Sequence, residues 1–172
     1  SFKLNLPTRN AGTFALWGIG GLSESTMKGF DDMEKWIYPG SRVKMNFQYN
    51  MGAGGITHAV RASQKTFVKS SLALNASQHS YHKSSRLLES NPSQLFPLYN
   101  IDMTSGTTVL STLVSHAANP RFSFKTGVSA NLHNYQLMGD ALDYQTNILE
   151  NIIDGTGNSW LLNAHFQAKY KF

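Results

Sequence analysis

The sequence predicts an all-β protein: an antiparallel meander of long strands, part of a transmembrane β-barrel with short periplasmic turns and long extracellular loops. Three observations carry this. Two-faced alternation persists from Arg121 to His133 and from Trp160 to Phe172, whereas strands of globular proteins average about 5–6 residues. The connections alternate between short and long, the plan of an outer-membrane barrel. Charge follows the same division: all 10 acidic residues fall in three long connections, while strands and short turns carry only cations.

The first strand alternates Phe2, Leu4 and Leu6 against Lys3 and Asn5, and Pro7–Gly12 is turn-like. Thr13–Leu22 is β-rich without a clear face, and Ser23–Ser41 is a long connection. From Arg42 to Ala62, Val43, Met45, Phe47, Tyr49 and Met51 alternate with Arg42, Lys44, Asn46, Gln48 and Asn50. Gly52, Gly54 and Gly55 then make either a glycine-rich bulge in one strand or a tight turn between two. The bulge is preferred, because a turn would put a short connection on the long-loop side. After Ser63–Lys65, Val68, Leu72, Leu74 and Ala76 share a face; Lys83–Gly106 is long; Thr107–His116 is β-rich. Asn119-Pro120 signals a turn. Phe122, Phe124, Val128, Ala130 and Leu132 then alternate with Ser123, Lys125, Ser129, Asn131 and His133. Met138–Asn158 is read as a long loop holding a short helix, with Asp140 as N-cap, Leu142, Leu149 and Ile152 at helical spacing and Gly155 as the stop. In the last strand, Leu162, Ala164, Phe166 and Ala168 are expected to face lipid, and Asn163, His165, Gln167 and Lys169 the lumen. Seven strands result, or eight if Gly52–Gly55 is a turn, in a single barrel segment spanning 1–172 with no plug domain.

Composition narrows the class. The 172 residues are 41% hydrophobic and 15% charged, with 14 glycines, no cysteine and net charge +5. Soluble domains carry roughly 25% charged residues. The apolar share excludes disorder, and the lack of cysteine excludes disulfide scaffolds and thiolate zinc sites. No stretch reaches the roughly 20 apolar residues of a spanning helix, and no basic segment leads into an apolar one as in a signal peptide. A start at Ser1 is expected of a mature or excised chain. Trp17, Tyr81, Phe122, Phe124, Tyr135, Trp160, Tyr170 and Phe172 lie toward strand ends, as interfacial girdles would.

Catalytic constellations are missing. There is no Walker loop, dinucleotide fingerprint, nucleophile elbow or His-Glu-x-x-His, and the chain is read as not an enzyme. His79 and His82 lack a third metal ligand nearby. Asp31 and Asp32 sit in a polar loop that suits solvation better than acid–base work. Basic and aromatic residues interleave over Arg42–Tyr49, but alternation sends them to opposite faces, which does not suit nucleic-acid stacking. No catalytic, metal or cofactor residue is expected, and ligand contacts are unknown.

Short phrases point to a family. Phe2-Lys3-Leu4-Asn5-Leu6-Pro7 followed by Gly12-Thr13-Phe14 resembles a hairpin of TonB-dependent outer-membrane receptors of the Bacteroidetes type. Asn50-Met51-Gly52-Ala53-Gly54-Gly55-Ile56-Thr57-His58, Asn119-Pro120-Arg121 with Phe122–Gly127, and Gly155-Thr156-Gly157-Asn158 are similar to the same branch. The resemblance implies outer-membrane localisation and a 22-strand barrel with an N-terminal plug. It implies uptake of a bulky nutrient powered through TonB in the periplasm. This chain then supplies part of the wall, with lipid, the plug domain of the intact chain, TonB and a surface lipoprotein as partners. Two other readings are a complete eight-stranded outer-membrane barrel and a soluble β-sandwich binding module exposing Trp36 and Tyr38. In the barrel, Lys44, Lys69, Lys125 and Lys169 are expected to line a basic inner wall, which attracts anionic solutes or an acidic domain filling the lumen.

Overall fold

The computed structural model describes residues 1–86 and 94–172. The described residues form one seven-stranded sheet with order β1-β2-β3-β4-β5-β6-β7, and every neighbouring pair is antiparallel. The strands are β1 (Phe2–Thr8), β2 (Gly12–Met27), β3 (Val43–Ser63), β4 (Thr66–Ser85), β5 (Phe96–Ala117), β6 (Phe122–Asp143) and β7 (Ile148–Tyr170). The expected all-β antiparallel meander is therefore the fold. The sheet is open, with β1 and β7 at its edges.

β3 runs unbroken for 21 residues. Its pairing with β2 and with β4 continues in register through Gly52–Gly55, so neither the turn nor the bulge expected there exists. The register shift of that strand pair lies lower, between Arg61 and Ser63. With no turn in β3, the eight-strand count fails as well.

The short connections take turn geometry from a few side chains. Gly12 adopts φ 84° at the first hairpin. Asn119 accepts from the Arg121 and Phe122 amides through Oδ1 at 2.9 and 2.8 Å, an Asx turn that opens β6. At the opposite end, residues 28–42 form an irregular connection with two short 3₁₀ turns, Met33–Lys35 and Pro39–Arg42. Asp32 caps the first by accepting from the Glu34 amide. The Trp36 indole donates to the Phe30 carbonyl at 2.7 Å. Asp31 pairs with Arg86 at the end of β4, tying the loop to the sheet.

The third long connection is a correction. Residues expected to form a loop with a helix starting at Asp140 extend β6 and β7 instead, leaving residues 144–147 as the turn. Leu142 pairs with Leu149 across the hairpin, so their spacing reflects cross-strand pairing rather than a helix face. The Asp143 carboxylate accepts from the Gln145 amide at 2.8 Å and the Thr146 hydroxyl at 3.0 Å, and Asn147 takes φ 56°. These two bonds, the Gln145 amide foremost, hold the Asp143 pKa below the usual carboxylate range. A lowered folded pKa contributes to turn stability above the unfolded carboxylate pKa of about 3.9, and that contribution is lost as pH falls through the lowered value. The Gln145 amide resonance should therefore titrate in acid, and Asp143→Asn should abolish that titration.

The acidic residues also move. Glu24, Asp102, Asp140, Asp143, Glu150 and Asp154 lie in strands rather than loops; Glu89 falls outside the described residues. What survives is segregation by end: every described acid lies in the half of the sheet nearer the long connections.

Candidate functional site: a two-faced sheet with an inversion

In an antiparallel sheet, directly paired residues share a face, so the register sorts every side chain. One row runs Leu4, Leu16, Ile56, Leu72, Leu110, Ala130, Leu162 across all seven strands. Its large side chains are 43% to 74% exposed. Rows two residues away on either side share that face. They add Leu6, Phe14 and Val128 below, then Phe2, Leu74, Leu132 and Trp160 above. Phe122 pairs with Tyr170 at the lower margin of this band, and Leu132 with Trp160 at the upper. Ten residue steps separate them. At about 3.4 Å per residue and a tilt near 40°, that is roughly 26 Å of height.

Several polar side chains inside the band are bonded within the protein. Thr66 bonds His116 at 2.9 Å, and Ser70 bonds Thr112 at 3.0 Å. Thr126 donates to the His165 carbonyl. His58 stacks on Phe14 with centroids 4.4 Å apart and bonds the Ala11 carbonyl at 2.6 Å. Such pairing is what an environment without water requires.

The opposite face is more polar over the same height but mixed, with Trp17, Val109, Leu113 and Leu161 among its polar residues. It carries Asn5, Thr57, Ser71, Ser111, Ser129 and Asn163 in one row, with Ser71 and Ser111 bonded at 2.7 Å. Below and beside this row lie Lys3, Arg61, Lys69, Lys125 and Lys169. Lys44 is a correction: it pairs with Ser84 and falls on the other face, at the other end.

The polarity then inverts. A row of small residues, Gly20, Gly52, Ala76 and Gly106, crosses the centre of the sheet. Beyond it, the face that was apolar turns polar and acidic: Glu24, Gln48, Ser80, Asp102 and Asp154 share one row. Asp102 accepts from the Ser80 hydroxyl at 2.5 Å and lies 3.4 Å from the His82 ring. The face that was polar becomes a belt of rings and thioethers. Phe47 stacks on Tyr81 at 4.8 Å, Tyr49 lies 4.3 Å from His79, and Tyr81 meets Tyr99 edge-on at 5.9 Å. Met45, Met51 and Met103 fill between them. A cleft of about 460 Å³ opens among Ser23, Ser25, Phe47, Tyr49, Tyr81 and Ile101.

This inversion reassigns several expected residues. Trp17, Tyr81 and Tyr135 lie on the face opposite the band and belong to no girdle around it, whereas Phe122, Phe124, Trp160 and Tyr170 do border it. His79 and His82 point to opposite faces and cannot share a metal. Phe47 and Tyr49 lie opposite Lys44, as alternation requires. Of the loop acids, Asp31 is engaged by Arg86 and Asp32 by its capping bond. The ring belt was not anticipated, although its signal was present: apolar residues are odd-numbered over Met45–Met51 and even-numbered at Ile56 and Val60.

No protein-family model, curated protein or solved structure matches this chain.

Proposed function

We propose that the chain is part of the wall of an outer-membrane β-barrel that takes up a bulky nutrient, in the manner of TonB-dependent receptors. The observation that carries this reading is the continuous apolar band. Its height of roughly 26 Å is close to the ~25 Å lipid-facing band of such barrels, aromatic residues border it, and the opposite face over the same height carries the Ser71–Ser111 row and four lysines, interrupted by Trp17, Val109, Leu113 and Leu161. The lipid-facing surface is then the row of Leu4 through Leu162, and the lumen is lined by the Ser71–Ser111 row and the lysines around it. The acidic upper rows project beyond the bilayer, and the long connections lie outside the cell.

Exposed surface supports a sheet made to be covered. The chain exposes 12172 Å², where a compact monomer of 19.1 kDa exposes about 8400 Å². Val43 is the sole buried hydrophobic side chain among the described residues. Both edges offer unpaired backbone that further strands must satisfy within a membrane. A soluble sandwich would need a second sheet against one face along its whole length, and the inversion denies either face that uniform apolarity.

Two measurements on the full-length protein test the proposal. Cell fractionation should place it in the outer membrane, with heat-modifiable migration in detergent. Medium left by a gene-deleted strain should retain a bulky solute that the parent strain removes. Recovery as a detergent-free soluble monomer would reject the barrel; identical spent media would reject uptake.

A further inference from the structure

We propose that the short-turn rim of the sheet is a docking surface for the headgroups of anionic phospholipids. The inference rests on the barrel reading and deepens it by naming the lipid that the rim selects. Each short connection carries a cation: Arg9 follows β1, Lys65 lies between β3 and β4, and Arg121 lies between β5 and β6. Lys171 follows β7 at the same end. These cations are exposed, and among the described residues none of them is in an ion pair. Local bonds gather the last three. The Lys65 ammonium donates to the Ala118 carbonyl at 3.1 Å, and the Lys171 amide donates to the Arg121 carbonyl at 2.8 Å. Arg121 and Lys171 therefore face each other where the β6–β7 ladder ends. Like charges directly opposite are destabilising, a cost that an anion between them would remove. No described carboxylate can do so, because every described acid lies beyond the glycine row or in the connections past it.

The position of the rim selects a lipid headgroup as that anion. Arg121 and Lys171 lie one residue, about 3.4 Å, outside the Phe122–Tyr170 pair that closes the apolar band. Rings crowd that margin on the face of the band. Phe124 stacks on Phe166 at 6.0 Å, Phe122 lies 6.5 Å from Phe124, and Tyr170 meets Phe172 edge-on at 5.2 Å. At a membrane interface aromatic rings sit at headgroup level. Lys and Arg beside them bury their stems while the charge reaches outward. A leaflet presents phosphates at that height along the whole rim, so cations on turns spread from β1 to β7 all meet an anion at once. A small soluble anion reaches only the Arg121–Lys171 pair. Arg61, Lys125 and Lys169 stand behind the rim on the polar face and add to its positive potential. Glu24, Asp102 and Asp154 stand beyond the glycine row, far outside the Debye length of about 8 Å. Each cation near an anionic surface strengthens association about fivefold. An acidic polypeptide is the poorer match, since it would have to lie across the ring-lined margin that the barrel reading places in lipid.

The test uses the full-length protein reconstituted in phosphatidylcholine vesicles that contain a photoreactive lipid, with mass spectrometry identifying the labelled peptides. The probes compared are phosphatidylglycerol and phosphatidylcholine with the reactive group on the headgroup, and phosphatidylcholine with it on the acyl chain. The phosphatidylglycerol probe should label the peptides holding Arg9, Lys65, Arg121 and Lys171 about tenfold more than the phosphatidylcholine headgroup probe. High salt should remove most of that preference. The variant R9Q/K65Q/R121Q/K171Q should lose it as well, and R9K/K65R/R121K/K171R should keep it, both remaining heat-modifiable. Equal labelling by the two headgroup probes, or a preference that survives high salt, overturns the docking surface; acyl-chain labelling of the Leu110 row in the same sample leaves the barrel reading intact. A protein that the acyl-chain probe does not label overturns both.

Discussion

Arginine at Leu110 should destabilise the folded barrel by about 2–4 kcal/mol, and arginine at Ser111, the next residue, should cost little. Leu110 lies in the all-apolar row, paired with Leu72 and Ala130, and is 56% exposed on the face assigned to lipid. On the proposed barrel reading, a guanidinium there must stay in hydrocarbon or snorkel toward an interface several residues away. Ser111 points to the opposite face, beside Ser71 and Ser129, where water solvates the new charge. Urea unfolding of both variants in lipid vesicles measures the contrast. Equal costs would mean that the two faces meet the same medium.

Gly12→Val should be the next most damaging change, at about 1–3 kcal/mol from backbone conformation alone. Gly12 holds φ 84°, a left-handed conformation that β-branched residues resist. A Cβ there would also meet the Ala59 carbonyl oxygen at 2.3 Å and Val60 Cβ at 2.8 Å, so backbone must shift. Gly21→Val is the control: a Cβ at Gly21 meets nothing within 4 Å, and valine favours strands. A lower urea midpoint for Gly12→Val with an unchanged one for Gly21→Val is the expected result.

Much of the fold was legible because alternation is local. Phe122–Leu132 and Trp160–Tyr170 disclose in sequence which residues share a face, and Asn119-Pro120 marks the turn before β6. Strand ends near the long connections were not legible. Glu24, Asp102 and Asp154 look like loop residues, yet each sits in a ladder whose polar side meets solvent, and an acid there costs nothing. The stretch around Asp140 imitates a helix because a hairpin brings Leu142 opposite Leu149. The site was half legible. Alternation tells which residues share a face but not what that face meets, and along β3 the polarity of each face changes between Met51 and Ile56 without any change in the ladder. The glycines at Gly52–Gly55 suggested a bulge; the backbone instead stays regular and the polarity reverses.

That reversal offers the most direct test. The chain has no cysteine, so single cysteines carrying spin labels can be placed along β3 from Met45 to Val60. Oxygen, enriched in lipid, and a water-soluble quencher then report the medium at each position. Oxygen accessibility should peak at residues 56, 58 and 60 and dip at 55, 57 and 59. Above the glycines, no position from 45 to 51 should show a lipid-like ratio. Oxygen maxima at 45, 47, 49 and 51, in phase with one apolar face along the whole strand, would contradict the inversion and the placement of the membrane band that depends on it.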